Sequence, residues 1–142
     1  MHKLMLEAIG GRVTEIRDGY ARGELPMSEL VMQPTKVFHA GAIVTLADEV
    51  ASMAIYGEPH QGDTLKDKPF PYSIQISVNL LSNDREGPLV AEAHVVKRGR
   101  VTVVDTHVRG PGDKPVALMR STHLMVDLKK SGPHKAQTVA SR

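Results

Sequence analysis

The sequence predicts an α+β fold in which a mostly antiparallel sheet wraps one long helix. Three observations lead there. Only one long stretch, from about Ala40 to Tyr56, keeps helical spacing of its apolar residues. The segments around it are β-rich, in the order strand, strand, helix, then four strands. One helix cannot supply the crossovers of a parallel doubly wound sheet, so the strands pair mainly antiparallel.

The elements follow in order. Residues 2–9 can form a short lead-in helix. In "RVTEIRDGYARGEL", two short runs flank Asp18-Gly19, a pair that tolerates positive φ and so favours a hairpin; strands are expected near 12–17 and 20–26. Residues 27–38 are a connector broken by Pro34. The long helix stops at Gly57 and Pro59, and 58–71 reads as a loop. In "YSIQISVNLL", Ile74, Ile76, Val78 and Leu80 alternate with polar residues, the period of a strand with one apolar face. "PLVAEAHVVKRG" and "RVTVVDTHVRG" are two strands joined by a glycine-containing turn, and "PVALMRSTHLMVDL" is a last long strand. One domain is expected over 1–128, with a flexible tail over 129–142.

Composition narrows the function. A chain of 142 residues with 41% hydrophobic content can bury a core. Its net charge of +2 is scattered, and two Phe, three Tyr and no Trp offer little to stack on bases, which argues against nucleic acid. With no cysteine, disulfides, thiol nucleophiles and thiolate metal sites are excluded, and a cytoplasmic location is expected. Glu7 interrupts the apolar run of the N-terminus, so no signal peptide is read there, and no stretch reads as a membrane span.

The helix carries two stripes. Ile43, Leu46, Ala47, Val50 and Ala54 make an apolar one for the sheet. Gly41, Thr45, Asp48 and Ser52 make a second, and periodicity alone permits it to be a solvent face. Yet the helix contains no Lys or Arg, and small residues on both sides suit packing on both sides. Asp48 would then occupy a restricted site. At the mouth, His39-Ala40-Gly41 presents amides that lack intrahelical partners and can hold an oxyanion.

His39-Ala40-Gly41 followed by Leu46-Ala47-Asp48, then "SIQISVNLL" and the hairpin "VVKRGRVTVV", resembles the hotdog-fold acyl-CoA thioesterases, and within them the PaaI type, which includes phenylacetyl-CoA and 4-hydroxybenzoyl-CoA thioesterases. The resemblance spans roughly Val37 to Val126. It implies a hotdog fold and hydrolysis of an acyl-CoA to free acid and CoA, without metal or other cofactor. It further implies that Asp48 is the nucleophile or general base and that the Ala40 amide polarises the thioester carbonyl, assisted by Gln33. His39 matches the family's mouth histidine, Ser52 a hydroxyl one turn beyond the carboxylate, and Ser73 a water-positioning serine. Lys97, Arg98, Gly99 and Arg100 fall where CoA phosphates would be met. The family usually has two glycines after the histidine; here the first is Ala40, which narrows the approach and bears on substrate shape.

Ala40 and Asp48 stand about 12 Å apart along a helix rising ~1.5 Å per residue. One thioester carbon cannot touch both, so if both act, Asp48 comes from a second chain. The resemblance implies the same: a homodimer, often paired into a tetramer. Two other readings stay open: a non-catalytic acyl-CoA-binding regulatory domain, and a hotdog dehydratase acting on acyl thioesters. Glu49 points elsewhere on the helix and is read as structural. His94, His107 and His123 lack a close ligand pair, so a metal site among them is disfavoured.

Overall fold

The computed structural model describes residues 3–59 and 68–129. Residues 60–67 of the loop expected over 58–71, and most of the expected tail, 130–142, lie outside the described residues; the last two residues of that loop, Phe70 and Pro71, instead begin the strand Phe70–Leu80. The elements run α1 (Met5–Ala8), β1 (Arg12–Arg17), β2 (Tyr20–Leu25), α2 (Ala40–Tyr56), β3 (Phe70–Leu80), β4 (Leu89–Lys97), β5 (Val101–Gly110) and β6 (Lys114–Val126). The expected lead-in helix shrinks to one turn, which plugs buried Leu6 into the core. The connector holds a short 3-10 turn, Glu29–Val31, and a bridge between Met32 and Phe38.

Every strand pairing is antiparallel, in the order β1-β2-β4-β5-β6-β3. The Asp18-Gly19 hairpin forms as its chemistry requires, with Gly19 at φ +81°. The sheet curves around α2, whose Ile43, Leu46, Ala47, Val50 and Ala54 are buried as their spacing predicts. They meet small inward residues of the sheet, among them Ala21, Ala91 and Ala93, which let the helix lie close to the strands. One long helix wrapped by an antiparallel sheet is the hotdog architecture. No helix among the described residues is long and apolar enough to cross a membrane.

The apolar side of β3 departs from expectation. Ile74, Ile76 and Leu80 are 56%, 40% and 49% exposed, and of the alternating set only Val78 is partly buried. The reason is topological. Among the described residues β3 pairs with β6 alone and forms the sheet edge, and a bulge between Ser73 and Gln75 shifts its register.

Candidate active site

The mouth of α2 is built from His39, Ala40 and Gly41. His39 is the N-cap in extended conformation, and its Nδ1 accepts the Gly41 N–H at 2.8 Å. Accepting there leaves no proton on Nδ1. Gly41 leaves room for the contact: a Cβ at that position would stand 3.1 Å from the same nitrogen and push the ring back by a few tenths of an ångström. The amides of Ala42 and Ile43 both reach the His39 carbonyl. Of the first four helical N–H groups only that of half-buried Ala40 has no partner among the described residues. It sits at the positive end of the helix dipole, where an oxyanion would be stabilised.

Asp48 lies two turns further on, half-buried on the second stripe. Ser73 of β3 donates its hydroxyl proton to Asp48 Oδ1 at 2.7 Å. This contact exists because Ser73 pairs in register with His123 of β6, and His123 is on the face of the sheet turned toward α2. His123 is fully buried: its Nδ1 stands 3.3 Å from Ser73 Oγ and its Nε2 2.8 Å from Ser121 Oγ. Burial pushes its pKa below the usual histidine value, against the opposing pull of Asp48 and the Pro71 carbonyl. Glu49, beside Asp48, is pushed up, first by burial and then by Asp48 and Glu7.

The other expected residues divide. Gln33 is half-buried in the loop before the mouth, its backbone N–H bonded to the Val37 carbonyl and its side-chain amide to Thr35 Oγ1 at 2.6 Å. Ser52 follows Asp48 by one turn, yet its hydroxyl has no hydrogen bond among the described residues. Lys97, Gly99 and Arg100 are exposed at the β4–β5 hairpin. Arg98 is turned back instead, bonding Asp18 Oδ1 at 2.8 Å and the Ile55 carbonyl at 3.2 Å. His94 and His107 are exposed while His123 is buried, so the three do not converge. Among the described residues no group of three or more metal-ligating side chains stands together.

In the sequence His123 stands out only as a conceivable metal ligand, and Ser121 does not stand out at all. The signal was present: Ser121 and His123 are two residues apart on a strand, hence on one face, and both are polar on a strand whose other inward residues are apolar.

Comparison with known proteins bears on the family and the fold. The thioesterase PA1618 of Pseudomonas aeruginosa is 29% identical over 123 residues, covering 86% of this chain and 81% of its own. A solved structure of a PA1618 variant superimposes with a TM-score of 0.74 at 26% identity, covering 84% of each chain. The 1,4-dihydroxy-2-naphthoyl-CoA hydrolase of Listeria monocytogenes is 25% identical, covering 82% of this chain and 90% of its own. A hypothetical thioesterase protein of Streptococcus pneumoniae solved with coenzyme A shares the fold, with a TM-score of 0.69 at 18% identity over 82% of this chain and 88% of that one. A family model described as the thioesterase superfamily matches residues 35–109, just over half of the 142, and the chain belongs to that superfamily.

Proposed function

We propose that the protein hydrolyses acyl-CoA thioesters, with Asp48 as its catalytic carboxylate. One observation carries this reading. On a helix without Lys or Arg, Asp48 is held through Oδ1 alone, leaving Oδ2 with no hydrogen bond among the described residues and open to a reacting group. In one route Oδ2 attacks the thioester carbon, CoA leaves as thiolate, and water opens the mixed anhydride. In the other, Asp48 takes a proton from water as the water attacks. Both give the free acid and CoA-SH, and both place negative charge on the carbonyl oxygen. The Ala40 N–H, helped by the Gln33 amide, receives that charge. His39 caps the helix so that Ala40 presents its amide, and Ser52 lines the approach to the carboxylate.

The helix geometry makes the site a shared one. Ala40 and Asp48 are too far apart on one helix to serve one carbon, so the amide of one protomer works with the carboxylate of its partner. The β3 edge, uncovered among the described residues, suits this arrangement: a long strand with exposed Ile74, Ile76 and Leu80 is a template for pairing with a second copy. We assign a homodimer, with pairing into a tetramer compatible. Lys97, Arg98, Gly99 and Arg100 form the candidate contact for CoA phosphates, with Lys97 and Arg100 the most available. The CoA thioester named for the Listeria relative supports the substrate class. The reading needs neither metal nor other cofactor, and the lack of cysteine fits a cytoplasmic enzyme.

The test is Asp48→Asn, which keeps size and removes nucleophile and base together. Thiol release from a panel of aromatic and aliphatic acyl-CoAs should fall by several orders of magnitude, while the melting temperature stays near that of the parent. Near-parental hydrolysis by a well-folded variant would remove Asp48 from the chemistry.

A further inference from the structure

We propose that buried His123 is a positioning residue for Asp48 and acts through Ser73. The inference rests on the assignment of Asp48 as the catalytic carboxylate, and it adds a buried residue of the sheet to that site.

The hydrogen bonds fix a direction. A carboxylate oxygen can only accept, so the Ser73 proton points at Asp48 Oδ1. Ser73 Oγ therefore faces His123 Nδ1 with a lone pair, and Nδ1 must carry a proton to satisfy it. Nε2 is then the acceptor, and it receives the Ser121 hydroxyl at 2.8 Å. The chain reads Ser121 O–H to Nε2, Nδ1–H to Ser73 Oγ, Ser73 O–H to Asp48 Oδ1. Each group is used once and the ring is neutral, as its burial favours.

The consequence is mechanical. A serine hydroxyl beside a carboxylate otherwise rotates among acceptors. With its lone pair held by Nδ1–H, the Ser73 proton is committed to Oδ1, the carboxylate plane is fixed, and Oδ2 is directed outward. His123 touches no substrate, being fully buried. At 3.3 Å its bond to Ser73 is the longest in the chain, so this is the link that a substitution breaks most readily.

Asparagine and glutamine separate the two ring nitrogens. His123→Asn puts an amide donor where Nδ1 stands; His123→Gln puts one where Nε2 stands. Steady-state hydrolysis of benzoyl-CoA and hexanoyl-CoA is compared with thermal melting on the same samples. We expect His123→Gln to lose about ten- to a hundred-fold in kcat with KM little changed, the loss typical of removing a group that orients a reacting one. His123→Asn should recover most of it. In a Ser73→Ala background His123→Gln should cost no further rate, because its route to Asp48 is gone. Nitrogen chemical shifts of the parent protein, which need no variant to fold, should report the Nδ1–H tautomer.

Equal losses in Asn and Gln, additive losses with Ser73→Ala, or an Nε2–H ring would each overturn the proposal. So would an acylated Ser73 trapped in the parent enzyme, since Ser73 would then be a nucleophile rather than a link. If Asp48→Asn abolishes hydrolysis while His123→Gln is silent, only this inference fails. If Asp48→Asn is active, the parent assignment fails and takes this one with it.

Discussion

The two ends of α2 are finished differently. At the C-terminal end all four last carbonyls have donors: Met53 from the Gly57 amide, Ala54 from the Gly19 amide, Ile55 from Arg98 and Tyr56 from Lys68. Those donors come from the residue after the helix, the β1–β2 turn, the β4–β5 hairpin and the segment before β3. At the N-terminal end three of the first four amides are used and Ala40's is left over among the described residues. Helix ends ordinarily find partners for their orphan groups. One end has every carbonyl satisfied and the other keeps a single unpaired donor, which is the difference expected between a structural terminus and one that receives a ligand.

Ala40→Pro breaks the comparison most directly. Proline at the first helical position removes the N–H and little else, because its fixed φ already suits the helix. His39, at φ −63° and ψ 137°, is already in the region that a following proline demands. We expect kcat to fall roughly 10²–10³-fold, the effect of one oxyanion donor, with melting near the parent value. Gln33→Ala should fall in the same range or below it, since its amide also serves Thr35. An unchanged kcat in either would strike that group from the oxyanion site.

His39 sharpens the comparison at smaller cost. Its observed role is that of a cap, so His39→Ala should lose about 1 kcal/mol of stability. Asparagine is a strong N-cap, and His39→Asn should restore both stability and rate. A variant that regains its melting temperature but stays slow would instead make His39 a participant in the reaction.

How much of this was legible in the sequence follows the range of the interactions. The bounds of α2 were readable because its apolar spacing, its Gly57 stop and Pro59 are all local. So was the β1–β2 hairpin, fixed by Asp18-Gly19. The exposure of β3 was not, because alternation reports that a strand has an apolar side and not what covers it. Covering depends on β3 sitting outside β6, a non-sequential pairing. The Ser73–His123 contact spans 50 residues and is set by strand register, which a one-residue slip would abolish. Arg98 likewise read as a free cation at a hairpin tip, and only the packing of that hairpin against the end of α2 gives it a carbonyl and Asp18.

At the other end of α2 the expected effects fall on stability. Gly57 holds φ +78° as the left-handed cap, and Gly57→Ala should cost about 1 kcal/mol while the rate per folded molecule is unchanged. A fall in kcat beyond the folded fraction would show that the C-terminal end also feeds the site.

The smallest effect distinguishes the two arginines of the hairpin. The Arg98 side chain is 46% exposed and Asp18 is 88% exposed, so their ion pair is worth only a few tenths of a kcal/mol in water. Its bond to the Ile55 carbonyl adds a similar increment as a cation at the negative end of the helix dipole. Arg98→Ala should therefore lower the melting temperature by roughly 1–3 °C, on the scale of about 2–4 °C per kcal/mol for a chain of this size. Arg100 is exposed and makes no ion pair among the described residues, so Arg100→Ala should leave melting alone. If the hairpin meets CoA phosphates, Arg100→Ala raises KM severalfold at low salt with kcat unchanged, and added salt narrows the gap. Arg98→Ala should raise KM less, because its guanidinium is already engaged with Asp18 and the helix end. The reverse order, with Arg98→Ala raising KM more than Arg100→Ala, would mean that the cation closing the C-terminal end of α2 also binds substrate, and the division between the two ends would fail.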